Sequence, residues 1–184
     1  MRLFVSVDLD GLAEQVATVQ SLFADASGLR LTDPEQAHIT RKFLGETSDD
    51  GLPALTAAIE DAVADSDVSP FDVSFGGLGV FPHMGYISVV WLGVERGTGP
   101  LSRLHKAIED RTTALGFDPE DHEFTPHVTL GRLDHAGGKE LVQDVVQTRD
   151  PDAGEMTVDA VQLTESTLTD DGPVYSTVES FALG

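Results

Sequence analysis

Two tripeptides in the chain, His38-Ile39-Thr40 and His127-Val128-Thr129, carry the same chemistry in the same order. On an extended strand, residues i and i+2 project from one face. Each tripeptide therefore sets an imidazole beside a hydroxyl and turns Ile39 or Val128 the other way, toward a core. Imidazole titrates near neutrality, so one copy can take a proton while the other gives one. Hydroxyls can donate to the non-bridging oxygens of a phosphate, where charge builds in the transition state. Brought to one cleft, the four groups suffice to hydrolyse a strained cyclic phosphodiester. One histidine deprotonates water and the other protonates the leaving ribose oxygen, with neither metal nor covalent intermediate. Residue chemistry alone allows either histidine to be the acid. A lone His-x-Thr arises often by chance; two copies at the same stage of a repeat carry more weight.

The elements that must position these groups show that repeat. Leu3 to Asp8 alternates as a strand, and Leu12, Val16, Val19 and Phe23 recur at helical spacing before Gly28. A short extended piece at Leu29-Arg30-Leu31 leads to the run His38 to Leu44, ended by Gly45. Ser48 or Asp49 can cap a helix carrying Leu52, Leu55, Ile59 and Val63. Phe71 to Phe75 reads as a strand, with Gly76-Gly77-Leu78-Gly79 as the turn after it. The order then returns. A strand from Tyr86 to Leu92 precedes a helix carrying Leu101, Leu104, Ile108 and Leu115, with Pro100 in its first turn and Gly116 at its end. An extended run from Phe124 to Leu130 follows, then a helix with Leu141, Val142, Val145 and Val146, and a strand from Thr157 to Leu163. A last strand lies near Val174 to Phe181. Val5 precedes His38 by 33 residues and Val90 precedes His127 by 37; Val73 and Val161 follow the two histidines by 35 and 34. The spacing predicts a topological repeat over about 1–80 and 84–165, with two interleaved lobes about a pseudo-twofold axis and a shared cleft. No Pro-, Gly- or Ser-rich linker separates the halves, so one α+β domain over 1–184 with largely antiparallel sheets is expected.

Composition narrows the classes. The 184 residues suit one domain with a sizeable core, and 40% hydrophobic content excludes simple disorder. There is no cysteine, which excludes disulfide scaffolds, thiolate zinc sites and cysteine nucleophiles. The first residues reach charge too early for a signal peptide, and no apolar run approaches the ~20 residues of a membrane span. A cytoplasmic protein is expected. Acidic residues outnumber basic ones 32 to 11, for a net charge of −21, and they are scattered over the chain. Such a field repels nucleic acid at low salt. A basic partner is one reading; adaptation to a salty cytosol, where a Debye length of roughly 3 Å at 1 M screens self-repulsion, is preferred. Charge beside a site then matters more than net charge.

The two motifs with their flanks, His38-Ile39-Thr40-Arg41-Lys42-Phe43-Leu44-Gly45-Glu46 and Phe124-Thr125-Pro126-His127-Val128-Thr129-Leu130-Gly131-Arg132, resemble the HxTx motifs of the two-histidine (2H) phosphoesterase superfamily. They look most like those of its RNA 2′,3′-cyclic phosphodiesterases, also called 2′-5′ RNA ligases. Val80-Phe81-Pro82, Val90-Trp91-Leu92-Gly93-Val94, Glu165-Ser166-x-Leu168 and Gly172-Pro173-x-Tyr175 fit in the same order, so the resemblance spans the chain. It implies the bilobal 2H fold and hydrolysis of RNA 2′,3′-cyclic phosphate ends, tRNA fragments among them, to 2′-phosphomonoesters. It also implies reverse 2′-5′ joining without ATP and no cofactor. The residue chemistry calls for no metal, the apolar pattern for no membrane, and the net charge favours a monomer. By motif position His38 resembles the proton donor and His127 the proton acceptor, with Thr40 and Thr129 holding the phosphate. A relative acting on a small nucleotide or an ADP-ribose cyclic phosphate, and a non-catalytic RNA-end binding module, are the alternatives. Two residues depart from the family pattern: Arg41 stands at an apolar position, and Ser88 where many members carry arginine.

Other residues complete the expectation. Lys42 shares strand parity with His38 and Thr40, which makes it the candidate cation for the phosphate backbone. Arg132 has the opposite parity to His127 and Thr129; a bulge would turn it inward, and the family pattern favours a basic residue here. Phe81, Tyr86 and Phe124 can stack a terminal base or line the cleft. His105 reads as an exposed helix position, and His83, His122 and His135 as loop residues. No metal-ligand spacing, phosphate-binding Gly-Lys loop or dinucleotide fingerprint is present.

Overall fold

The structure, a computed structural model, describes the backbone of residues 1–184 and every side chain but that of Arg41. In chain order the elements are β1 (Arg2–Asp8), α1 (Ala13–Ser21), β2 (Leu29–Leu31), β3 (His38–Glu46), α2 (Leu52–Ser66), β4 (Phe71–His83) and β5 (Tyr86–Arg96). Then come α3 (Thr98–Ala114), β6 (His127–Leu133), α4 (Lys139–Thr148), β7 (Asp152–Val158), β8 (Ala160–Thr169) and β9 (Gly172–Ala182). The strands run β7-β4-β5-β6-β3-β1-β8-β9 in one sheet, with β2 also against β6. All these ladders are antiparallel.

That order is symmetric about the β6–β3 seam. The first half of the chain lends β4 to the neighbourhood of β5, and the second half lends β8 to the neighbourhood of β1. The fold is α+β, bilobal, with the two motif strands side by side at its centre. Period-2 alternation sends Val5, Ile39, Val90, Leu92, Val128, Leu130, Val161 and Leu163 into the core, where all are fully buried. They meet Val16, Leu55, Ile59, Leu101, Leu104, Ile108 and Val142 from the four helices. Phe4 is buried but lies outside this core. No described helix is long and apolar enough to cross a membrane.

Two expected elements come out differently. The glycine cluster after Phe75 is not a turn: β4 continues through it to His83, paired with β5 and bulged there. The reason is Trp91, register partner of Gly79, whose ring occupies the place where a Cβ at Gly79 would stand. The expected strand Thr157–Leu163 is two strands that break at Asp159. β7 pairs with β4 and β8 with β1, so the chain crosses between lobes there.

Candidate active site

β3 and β6 touch through the pair Ile39 and Val128. In an antiparallel ladder this register sets His38 across from Thr129 and Thr40 across from His127. The two imidazoles are then diagonal neighbours on the face opposite the core, with backbones about 7–8 Å apart. All four side chains are partly exposed. Neither threonine spends its hydroxyl on another described residue; the Thr129 carbonyl accepts from the Thr32 hydroxyl at 3.0 Å.

Each ring is held the same way. His38 Nδ1 donates to the Gln36 carbonyl at 2.9 Å, and His127 Nδ1 to the Thr125 carbonyl at 2.6 Å. A carbonyl can only accept, so the neutral rings carry their proton on Nδ1 and leave the Nε2 lone pair free. Local sequence builds both carbonyls. Asp33 caps a short turn over Pro34–Gln36 by accepting from the Glu35 N–H, which fixes Gln36 ahead of β3. On the other side Pro126 holds Thr125 extended. Aromatic rings close around each histidine. Phe4 and Tyr175 lie 5.1 and 5.0 Å from His38; Phe81 and Trp91 lie 4.9 and 5.9 Å from His127.

These surroundings set the proton affinities. Burial is the largest influence on both imidazoles and pushes both below the usual histidine range. The residual fields differ. Asp8, register partner of His38, draws its affinity back up, whereas His38, Arg132 and His122 lower that of His127 further. Ser6 orients Asp8 by donating to its carboxylate at 2.9 Å, and shares a 3.0 Å hydrogen bond with Thr164.

Lys42 is not at this site, contrary to the parity argument. The β1–β3 register passes from Val5–Lys42 to Ser6–Thr40, so Arg41 is an extra residue in a bulge. The side chain of Arg41 lies outside the described residues. The bulge flips parity: Lys42 points at α3, only 1% exposed, and Phe43 takes the cleft face beside Phe4. Lys42 Nζ donates to Glu109 at 2.8 Å and to the Asp118 carbonyl at 2.6 Å. Burial pushes the Glu109 carboxyl up, but the Lys42 ammonium and the Glu120 N–H outweigh it and hold the carboxyl below its usual range. The lysine thereby ties α3 to the segment that leads to His127. Lys42→Met is expected to cost roughly 2 kcal/mol, since it leaves a half-buried carboxylate with the Glu120 N–H as its remaining partner. A depressed folded pKa stabilises above the unfolded value and is lost as pH falls through the folded one. The deficit, read by urea unfolding, therefore shrinks as acid protonates Glu109.

Arg132 is placed by the mirror-image event. The β5–β6 register passes from Trp91–Thr129 to Val90–Gly131, so Leu130 is the extra residue. Both bulges fall three residues after their histidine, making Phe43 and Arg132 counterparts. Val89 pairs with Arg132 and lies two residues from Trp91, so Arg132 shares the face of Thr129 and His127. Ser88 is a bulge residue opposite Phe81 and Pro82. Phe81 supports His127; Tyr86 is exposed beside the β4–β5 turn; Phe124 stacks on His105 at 4.2 Å, which leaves His105 half-buried rather than exposed. His83 ends β4 instead of lying in a loop.

A model of the 2′-5′ RNA ligase superfamily matches residues 9–170. A relative from Archaeoglobus fulgidus, called RNA 2′,3′-cyclic phosphodiesterase, is 37% identical over 183 residues, covering 98% of this chain and 99% of its own. One of the same description from Methanothermobacter thermautotrophicus is 33% identical over 186 residues, covering 100% and 99%. The crystal structure of a Thermus thermophilus protein superposes with a TM-score of 0.81 at 26% identity, covering 100% and 98% of the two chains. That of E. coli LigT complexed with 3′-AMP superposes at 0.81 and 22% identity, covering 99% and 97%.

Proposed function

The chain belongs to the 2′-5′ RNA ligase superfamily, and from that premise we propose that it hydrolyses RNA 2′,3′-cyclic phosphate ends to 2′-phosphomonoesters. The reading is acid–base catalysis between His38 and His127, independent of metal and cofactor. The observation that carries it is the geometry of the seam: two imidazoles on one face, each with Nδ1 committed to a carbonyl and Nε2 left free.

His127 takes a proton from water as the water oxygen bonds to phosphorus. The bond from phosphorus to the ribose 3′-oxygen breaks, and His38 gives that oxygen its proton. The product keeps its phosphate on the 2′-oxygen. Each turnover leaves His127 protonated and His38 neutral, and proton exchange with solvent resets the pair. The unequal fields support this assignment: the Asp8 carboxylate favours a proton on His38, and Arg132 favours the neutral form of His127. Thr40 and Thr129 donate to the non-bridging oxygens, and Arg132, on the same face, presents positive charge to the RNA. With an RNA 5′-hydroxyl in place of water, the same steps bond that oxygen to phosphorus, break the bond to the 3′-oxygen and leave a 2′-5′ phosphodiester, which is the ligation reading.

Incubation of the full chain with an oligonucleotide 2′,3′-cyclic phosphate, in EDTA and at matched high salt, tests this. We expect turnover to a 2′-phosphate product alone. Dependence on added metal contradicts metal independence, a 3′-phosphate product contradicts the direction of cleavage, and tight binding without turnover leaves a binding module. The kcat/KM profile should be a bell, one limb for each histidine of the free enzyme. Both imidazoles lie below the usual value near 6.5, so the maximum falls on the acid side of neutrality. Asp8→Asn keeps the Gln36 hydrogen bond but removes the carboxylate that also raises His38, so the alkaline limb moves to lower pH while the acid limb stays.

A further inference from the structure

The β2–β6 ladder pairs Leu29 with Leu133, Arg30 with Arg132 and Leu31 with Gly131. Arg30 and Arg132 are therefore directly opposite one another, and directly opposite residues share a face. That face carries Thr129 and His127. Both arginines are exposed. Like charges so placed destabilise a sheet, and this chain has only 11 basic residues to distribute among 184. The acidic contact found among the described residues does not neutralise the pair. Asp134 Oδ1 accepts from Arg30 at 3.2 Å, with more than half of each side chain in solvent. It engages a single nitrogen of a guanidinium that presents five N–H donors.

We propose that Arg30 and Arg132 together bind a second phosphate of the RNA chain, the phosphodiester adjoining the terminal cyclic phosphate. This inference rests on the proposed cyclic phosphodiesterase reading and specifies its substrate. Arg132 lies three residues along β6 from Thr129, about 10 Å at strand rise. The pair is thus one further anion away from the four groups that hold the scissile phosphate, along the same face. Two planar guanidiniums on directly opposite residues of one face are within reach of one tetrahedral anion, which can accept from both forks at once. Lys42, buried against Glu109, cannot supply this charge. Asp134 becomes a positioning residue that aims the Arg30 fork.

The test compares two substrates: a nucleoside 2′,3′-cyclic phosphate, which has one phosphate, and a dinucleotide ending in the same cyclic phosphate, which has two. For Arg30→Ala the dinucleotide-to-mononucleotide ratio of kcat/KM should fall about tenfold, the size of a lost charge-assisted contact. Arg30→Lys should recover part of that ratio. A ratio unchanged in Arg30→Ala overturns the proposal, whether both rates fall together, as a merely structural role requires, or neither changes. A binding arm reads the same contact without turnover: fluorescence anisotropy of a labelled oligonucleotide with a 2′-phosphate end, titrated at several salt concentrations. The slope of log affinity against log salt should flatten by about 0.7 in Arg30→Ala; an unaltered slope overturns the proposal. A parent chain that binds in this Arg30-dependent way yet cleaves neither substrate would refute the hydrolytic reading and leave the second-phosphate site standing.

Discussion

His38→Asn and His127→Asn should each lower kcat by about 10²–10⁴, the ordinary contribution of a positioned general acid or base. Asparagine suits this purpose because its side-chain N–H can occupy the place of Nδ1. The hydrogen bonds to the Gln36 and Thr125 carbonyls then survive, and what is lost is Nε2. Neither ring belongs to the apolar core, so denaturant midpoints should barely move. The double variant should be little worse than the poorer single one, because residues that act as a unit are not additive. The two losses differ in kind. A substrate whose leaving group departs as a stable anion needs no acid, so p-nitrophenyl esters should restore most of the rate to the His38 variant and little to the His127 variant. Equal rescue of both would reverse or abolish the assignment of donor and acceptor.

The threonines should produce the second largest effect. Their hydroxyls face the same cleft and are not bonded to other described residues, so they are free to follow charge onto the non-bridging oxygens. Thr40→Val and Thr129→Val keep the branched shape and remove the donor. Each should reduce kcat by on the order of 10², toward the lower end of what a missing oxyanion donor costs. Thr→Ser at either position keeps the hydroxyl and should recover most of the rate. The register places Thr40 across from His127 and Thr129 across from His38. Double-mutant cycles should accordingly show stronger coupling for these cross-strand pairs than a mutational sum allows. A Thr→Val variant with full kcat and raised KM would mean ground-state binding only.

How much of the fold and site is legible in the sequence follows from where period 2 holds. It holds across each tripeptide, so the burial of Ile39 and Val128 and the shared face of each His-Thr pair can be read directly. It fails three residues after each histidine. The bulges at Arg41 and Leu130 are features of the pairing with β1 and β5, and a single strand read alone gives no sign of them. That is why parity alone puts Lys42 in the cleft and Arg132 out of register with it, and gives Phe43 no role. The glycine cluster before Val80 looks like a turn because the reason for it, the ring of Trp91, comes from another strand. Arg30 can be named as part of an extended piece but not as a partner of Arg132, since that pairing joins two distant stretches of chain. Phe4 and Tyr175 around His38 are hidden for the same reason.

In the proposed mechanism two free Nε2 atoms meet one anion. Histidine ¹⁵N NMR of the full chain, titrated with a nucleoside 2′-monophosphate, reads those atoms directly. The free protein should show His38 and His127 as the Nδ1–H tautomer, and both Nε2 signals should move along one 1:1 isotherm as both rings gain proton affinity. A response from only one ring, or separate isotherms for the two, would contradict a shared two-imidazole site.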